Sequence, residues 1–401
     1  MITLDFLSGL GADPRLVTAR ASRAWAPTGW SFTDGAGFGP LIGFGPRTAR
    51  LVRGEGLLVE PASTNHLRNP RGEGASGATP PTHWAVGASG GMSWSFTHGT
   101  EQGWPYVDVT LSGTAVGDAR LDFEGFTQIP ALTGQDWTLS AGLRVISGAV
   151  PGDPKLGMFE RASTGSTVTS ALQSVTPDAT RRRFVFSRTF EGGANVAAAH
   201  PCLYIDNPAG AVACVLRIYA PQMERAARAS SPVLPPAGAP GAATRDADGV
   251  DLALPPDFDF QSFSLISEVA LGPAPAAGTP FMIALETAAG TSDYTALYDG
   301  ASGLTQRVNA GGSAAGLASV APRGAAGAIR RFAMRCAPDD MAFAWDGGGF
   351  SADSSGGSGG AAYVRLSLGD VQGGSQWPGR IRQVRLTPDA LDDAALQRLA
   401  G

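Results

Sequence analysis

The sequence predicts an all-β protein: two β-sandwich (jelly-roll) domains in tandem behind a short N-terminal segment. Three observations predict it. Glycine (55 residues) and proline (29) together make up about a fifth of the chain, against roughly 12% in average soluble domains, and so much turn chemistry suits many short strands rather than long helices. Apolar and polar residues alternate at period two over several stretches, as they do in half-buried strands. Hydrophobic residues make up 43% and charged residues only 16% of 401, so there is material for real cores, and the length suits two or three units. No Gly-X-Y period accompanies the glycine, which excludes a collagen-like chain.

The elements follow in chain order. Residues 1–65 hold short strand-length pieces separated by Gly or Pro, with Trp25, Trp30, Phe32, Phe38 and Phe44 among them. Such a segment buries little by itself, so it is expected to pack on another protein or on a symmetry mate. It ends in "GLLVEPASTNHLRNP" (56–70), where the apolar Leu57, Leu58 and Val59 give way to Ser63, Thr64, Asn65 and His66. The change reads as a joint between modules rather than a catalytic loop.

Residues 66–225 carry strand signals at regular spacing. In "YVDVTLSG", Val107, Val109 and Leu111 take one face and Tyr106, Asp108 and Thr110 the other. "ARLDFEGF", "WTLSAGLRVI", "RRFVFSRTF" and "CVLRIYAPQME" follow, with Val212, Cys214, Leu216 and Ile218 sharing a face. Short strands with Gly/Pro turns predict a β-sandwich. Residues 226–249, dominated by Ala, Pro, Gly and Ser without periodicity, read as a linker. Residues 250–401 form a second β-rich unit, including "FSLISEVAL", "PFMIALET", "MAFAWDG" and "GRIRQVRLT", with "GGGFSADSSGGSGGAA" as a flexible loop between strands. Only "DALDDAALQRLAG" reads as a helix: Asp392 can cap it, Leu396 and Leu399 share a face, and Gly401 ends it.

Three places carry a resemblance. "GLLVEPASTNHLRNP" resembles the junction, in tail-fibre and minor structural proteins of phages and prophages, where a short polar turn (here Ser63, Thr64 and Asn65) opens a carbohydrate-binding-like jelly roll, with Asn69 and Glu73 at polar turn positions. "APQMERAARASSPVLPPAGAPGAATRDAD" looks like the closing strand and exit of that module, with Gln222, Glu224, Pro232, Arg245 and Asp248 in the family's order, although Ala and Arg replace the usual small-aromatic stretch after Glu224. "WPGRIRQVRLTPDALDDAALQRLA" makes residues 250–401 similar to the concanavalin-A-like (laminin-G-like) lectin sandwich. The resemblance spans most of residues 50–401. It implies a phage-like virion component, such as a tail fibre, spike or receptor-binding protein, that contacts or supports contact with host surface glycans.

Candidate binding residues follow from what sugars need: an aromatic face for the ring's C–H groups, with acids and amides for the hydroxyls. The region "HWAVGASGGMSWSFTHGTEQGWPYVD" is densest in these, and Trp94, His98, Glu101, Trp104 and Tyr106 are its glycan-binding candidates. Trp84 and Trp94 read better as sandwich core. Trp104, next to Pro105 at a turn, is the one expected to be exposed. In the last unit Tyr298 and Trp345 sit at strand ends beside Asp299 and Asp346, which could line a sugar site or contribute to a calcium site, or be ordinary turn acids, since calcium wants several oxygen ligands. No cofactor is required otherwise.

Enzymatic readings find little support. Four histidines (His66, His83, His98 and His200) lie in no Gly-x-Ser-x-Gly or His-Glu-x-x-His pattern. Glycan cleavage needs two carboxylates about the bond. Asp122 and Glu124 of "LDFEGF" point the same way on a strand but read better as its solvent face, and Asp257 and Asp259 of "DFDF" likewise, with their phenylalanines facing the core. Cys202, Cys214 and Cys336 are too few for a disulfide framework. Cys202 and Cys214 flank the turn "DNPAG" and could face each other across a hairpin, but free buried thiols are the favoured state.

Net charge is −5, and the densest basic cluster, Arg181, Arg182 and Arg183, reads as a solvated strand start, which speaks against nucleic acid as a partner. The N-terminus lacks a signal-peptide pattern, and no apolar run reaches the length of a membrane span. The expectation is assembly in the host cytoplasm, exposure on a released particle, attachment to other virion proteins through the N-terminal segment, and homo-oligomers, with trimers by analogy to fibres. Two alternatives stand beside glycan binding: a purely structural baseplate or capsid decoration, and a polysaccharide depolymerase.

Overall fold

The computed structural model describes residues 1–7, 16–18, 20–29, 39–256, 258, 260–274, 280–288, 290–300, 303–310, 313–353, 362–370 and 376–401. Trp30, Phe32, Phe38, Asp257, Asp259 and residues 354–361 of the glycine-rich loop lie outside them. The protein is 57% strand and 3% helix, the all-β architecture that the glycine, the proline and the alternation predict. Two compact units divide it. The first combines Met1–Arg23, Phe44–Ala62 and Asp246–Gly401, and the second combines Ala24–Gly43 with Ser63–Arg245.

The first unit is a sandwich of an eight-stranded and a seven-stranded sheet among the described residues. In the larger sheet the order runs Gly349–Asp353, Asp340–Trp345, Ile329–Ala337, Phe263–Leu271, Gly379–Thr387, Gly56–Val59 and Arg50–Val52, and Ile2–Asp5 also pairs with Gly379–Thr387. In the smaller it runs Leu16–Thr18, Val250–Ala253, Tyr363–Leu368, Phe281–Thr287, Gly290–Gly300, Gly303–Ala310 and Ser313–Ala321. Leu265, Val269, Leu285, Leu297, Phe343, Leu366 and Leu386 interdigitate between them. The helix Asp393–Ala400 lies on the outer face of the larger sheet, with Leu396 and Ala400 on Ala333, Ala342 and Ala344. Asp392 caps it, accepting from the Ala395 N–H at 2.7 Å. The helix is too short to cross a membrane, and no described helix is long and apolar enough to do so.

This arrangement corrects the expectation for residues 1–65, which form no unit of their own. Ile2, Leu4, Phe6, Leu57 and Val59 lie in the first unit's core, in register as Ile2↔Leu386 and Leu4↔Val384 and as Val59↔Gly379 and Leu57↔Ile381. Their apolar side chains are therefore buried by the same chain rather than held ready for another protein. The physical reason is that an open sheet edge leaves backbone N–H and C=O groups unpaired, and these short strands supply the pairing.

The second unit is a sandwich of two six-stranded sheets. One runs Arg182–Thr189, Asp136–Ser147, Gly210–Glu224, Trp104–Ala115, Met92–Glu101 and Ser76–Gly77. The other runs Thr167–Ser174, Asp153–Arg161, Ala198–Asp206, Ala119–Asp122 and Ala85–Ser89, with Ile129–Pro130 beside Ala198–Asp206. Val107, Val109, Leu111, Cys214, Leu216 and Ile218 fill its core, as the alternation indicates. Trp84 is core too, edge-on to Phe123 at 4.9 Å. Cys202 and Cys214 do not face each other, because their strands belong to different sheets, and all three cysteines are buried and free.

Residues 226–249 are not a loose linker. Ser231, Val233 and Leu234 are buried, and Ala243–Arg245 pairs with Ser63–Asn65. Polar residues fasten this seam. Asn65 donates to the carbonyls of Pro221 and Val233 and accepts from the N–H groups of Leu67 and Met223. Gln222 accepts from Val233 N–H at 2.8 Å, Glu224 from the Ser230 N–H and hydroxyl and from Ser63, and Arg245 donates to Ser231 at 2.8 Å. Within the first unit, Asp248 accepts from Arg20 at 2.7 Å, from Arg50 and from the Glu60 N–H at 3.0 Å, while Arg50 also reaches Glu60 at 2.8 Å. All four side chains are buried.

Candidate functional site

On the sandwich Ser63–Arg245, the face of the first sheet that turns away from the core gathers a group of polar and aromatic side chains. Where Val107, Leu216 and Ile218 point inward, strand alternation sends Tyr106, Asp108, Arg217 and Tyr219 outward. Register lines them up across strands: Asp108 is opposite Arg217, which is opposite Arg144, and Tyr106 is opposite Tyr219, which is opposite Gly142.

The Arg217 guanidinium makes a two-point contact with Asp108, at 2.7 and 2.8 Å, and lies 3.6 Å from the centre of the Tyr106 ring. The Asp108 carboxylate raises its pKa above the ordinary value, against burial. Tyr106 meets Tyr219 edge-on at 6.1 Å. Gly99 makes room for it, since a Cβ there would fall 2.7 Å from the Tyr106 hydroxyl.

Glu101 is the centre of the group. Tyr219 donates its hydroxyl to it, Arg144 donates at 3.2 Å, and Arg217 and Arg181 stand at 3.4 and 3.9 Å. The Tyr219 hydrogen bond and the three guanidinium charges hold the Glu101 carboxyl below the usual carboxylate range, although burial pushes the other way. Arg181 also donates to Gln102 at 2.8 Å and sits over Tyr219 and Trp104, at 5.4 and 5.9 Å from the ring centres. Arg144 and Glu101 are 36% and 31% exposed, so the group opens to solvent there. Such a face can hold a polar ligand by charge-assisted hydrogen bonds. It has no nucleophile paired with a base.

Of the residues singled out in this region, Glu101, Trp104 and Tyr106 share this face, and Trp94 and His98 do not. Trp94 is half-buried against the core, stacked on Phe96 at 6.3 Å, with its indole N–H donating to the Ser89 carbonyl at 3.1 Å. His98 Nδ1 lies 3.2 Å from the Ala75 carbonyl. Trp104, expected to be exposed, is only 1% exposed. Its indole donates to the Gly39 carbonyl at 2.8 Å, Leu41 N–H donates to the Gln102 carbonyl at 2.9 Å, and Leu41 packs beside the ring. The covering stretch comes from more than sixty residues earlier in the chain, beyond the reach of local pattern.

Asp122 and Glu124 are buried rather than solvated, because each is matched by arginine. Glu124 accepts from Arg68 at 2.6 and 3.1 Å. Asp122 accepts from Arg120 at 2.6 Å and stands 3.0 Å from His200 Nε2, while Arg161 donates to His200 Nδ1 at 2.8 Å. Phe126 and Phe159 flank the imidazole at 4.6 and 5.6 Å. Burial lowers the His200 pKa below the ordinary 6.5 and outweighs the pull of Asp122. The sequence contains no signal for this group, since cross-strand register alone brings it together.

In the other unit the singled-out residues separate. Tyr298 is half-buried beside Phe281 at 6.1 Å. Its neighbour Asp299 is fully buried and takes both arms of Arg323 at 2.7 Å and the Trp377 indole N–H at 3.2 Å. Trp345 borders the core next to Phe343 at 5.6 Å, and Asp346 accepts from Arg330 at 2.6 Å. Each acid is thus matched by an arginine. Among the described residues no three His, Cys, Asp or Glu side chains converge as a metal site would require.

No family model matches the sequence, and no curated protein matches it. Solved structures do overlap with it. The CBM22-1 xylan-binding domain of Xyn10C from Paenibacillus barcinonensis aligns at 14% identity over 44% of this chain and 98% of its own, with a TM-score of 0.27. Its tandem CBM22-1-CBM22-2 form aligns at 12% over 83% of this chain and 98% of its own, at 0.28. Domains LG4-5 of the mouse laminin alpha1 chain align at 12% over 70% of this chain and 91% of their own, at 0.27. At such scores and identities these overlaps carry no argument about what the chain does, and the Glu101 face stands on its own geometry.

Proposed function

We propose that this chain is a non-enzymatic glycan-binding protein, carried as a tail-fibre, spike or similar structural component of a phage or phage-derived particle. The observation that carries the binding reading is the Glu101 face: two tyrosines, three arginines and two carboxylates gathered on one side of the sheet, open to solvent at Arg144 and Glu101, with charged donors and acceptors of the kind that sugar hydroxyls take. Glycoside cleavage would need two carboxylates available on either side of a bond, whereas Glu101 and Asp108 are both engaged by arginine. The particle role is supported by the junction residues Ser63–Asn65 and Gln222 to Asp248, whose order resembles that of phage fibre modules. Attachment to the particle then belongs to the sandwich that contains Met1–Arg23 and Phe44–Ala62, and many copies on a particle multiply a weak single-site affinity.

A glycan array probed with the purified chain tests the binding reading, with Arg217→Ala as the comparison. Retention of the chain on specific glycans, lost in the variant, is the expected result. One observation favours a second reading, a decoration without ligand: every charged group of the face already has a partner within the chain. An array without retained glycans, combined with firm incorporation into particles, would establish that reading instead.

A further inference from the structure

Resting on the glycan-binding reading, we infer that the Glu101 face takes carboxylate-bearing polysaccharide, a uronic-acid polymer, in preference to neutral glycan. Three guanidinium groups, Arg144, Arg181 and Arg217, surround one carboxylate. Their ion-pair partners on this face are Glu101 and Asp108, so these five groups together carry one positive charge in excess, on a chain whose net charge is −5. That excess is local and cannot come from the molecule as a whole.

The cluster already shows which anion suits it. Glu101 is a carboxylate held by arginine donors and a tyrosine hydroxyl, the set of groups that a uronate would meet. Arg144 is the most exposed of the three, at 36%. It uses Nε for the Ala179 carbonyl at 3.0 Å and Nη1 for Glu101 at 3.2 Å and also meets the Tyr219 hydroxyl, which is fewer contacts than its five-donor fork can make. A neutral hydroxyl offers that fork only an uncharged acceptor, whereas a carboxylate offers a charge-assisted, two-point partner roughly twice as strong.

The test is titration calorimetry of the full chain with polyglucuronate and with the same polymer after its carboxyl groups have been reduced to alcohols. Polyglucuronate should bind about tenfold more tightly or better, and the gap should close in about 1 M salt, where the Debye length shrinks to about 3 Å. Arg144→Gln should weaken binding of the acidic polymer only, Arg144→Lys should weaken it less, and Glu101→Gln should strengthen it by removing the internal competitor. Arg385→Gln, at an exposed position of the other sandwich, should change nothing. Unaltered thermal midpoints in the Arg144 variants keep the comparison free of unfolding.

Equal binding of the two polymers overturns the preference and leaves glycan binding in place. An equal loss in Arg385→Gln overturns the site. If neither polymer binds and the array retains no other glycan, the glycan-binding reading falls and this inference falls with it.

Discussion

Asp248 shows how much a single buried side chain can hold. Its two oxygens receive Arg20, Arg50 and the Glu60 N–H, and none of these groups reaches water. Breaking such a group costs more than forming it gains, because the remaining charges stay buried without a counter-charge. Asp248→Asn should therefore lower the stability of the Met1–Arg23, Phe44–Ala62 and Asp246–Gly401 unit by about 3–5 kcal/mol, read from its urea midpoint. His200 gives a second prediction. Below pH 6.5 an unfolded histidine takes up a proton that the buried ring, with its lowered pKa, refuses. The unfolded state then binds more protons, so stability is full above pH 6.5 and falls as the pH drops towards the lowered value. His200→Gln should reduce the slope of the urea midpoint of the Ser63–Arg245 sandwich against pH in that window, leaving the slope due to His66, whose pKa burial also lowers. At this scale the sequence was partly legible. Alternation in "YVDVTLSG" put Tyr106 and Asp108 on one face, and the junction pattern picked out Asn65, Gln222, Glu224, Arg245 and Asp248. It said nothing of their being fasteners, since the partners of each come from strands far away in the chain.

Among the elements, Gly210–Glu224 decides the most. It pairs with Trp104–Ala115 on one side and with Asp136–Ser147 on the other. Its inward residues run Val212, Cys214, Leu216 and Ile218, and then the phase shifts so that Met223 is in the core. The shift occurs between Tyr219, opposite Gly142, and Gln222, opposite Ser140, where pairing slips by a residue. Ala220 sits in this bulge at φ +39°, the left-handed region that a Cβ disfavours. Glycine usually weakens a strand, but Ala220→Gly should leave the sandwich as stable or raise its stability by up to about 1 kcal/mol. Ala220→Val should destabilise it, and chemical denaturation of the two variants distinguishes them. Period-two reading was correct up to Ile218 and silent on the slip, because a single core residue beyond it, Met223, is too little to reveal a change of phase. The same bulge lies next to Tyr219, so the strand's irregularity and the Glu101 face share a location.

For the whole molecule, chain order and domain order differ. The fold class and both sandwiches were legible, because glycine, proline and alternation are local signals. The destination of the first 62 residues was not, because strands of three or four residues carry too little pattern to reveal their partners. A fragment covering 246–401, which keeps Asp248, should therefore fail to fold cooperatively. It would lack the strands Ile2–Asp5, Arg50–Val52 and Gly56–Val59 and the core side chains Ile2, Leu4, Leu57 and Val59. Circular dichroism should show no sigmoidal melt, and adding a peptide of residues 1–62 should restore one. A fragment covering 63–245 should melt cooperatively but with red-shifted tryptophan emission, since Trp104 loses the cover of Gly39 and Leu41.

The mutual bonds between Glu60 and Asp248, 188 positions apart, have one more consequence. Where the chain leaves the first sandwich and where it returns are backbone neighbours, and Ser63–Asn65 and Ala243–Arg245 keep the same antiparallel company just beyond. Topologically, everything between them is the tip of a hairpin. A genome could exchange that tip for another sandwich, or for a turn of a few residues, with the anchoring fold unchanged apart from the orphaned 24–43 arm. Recombination at two nearby seams would therefore exchange the inserted sandwich whole.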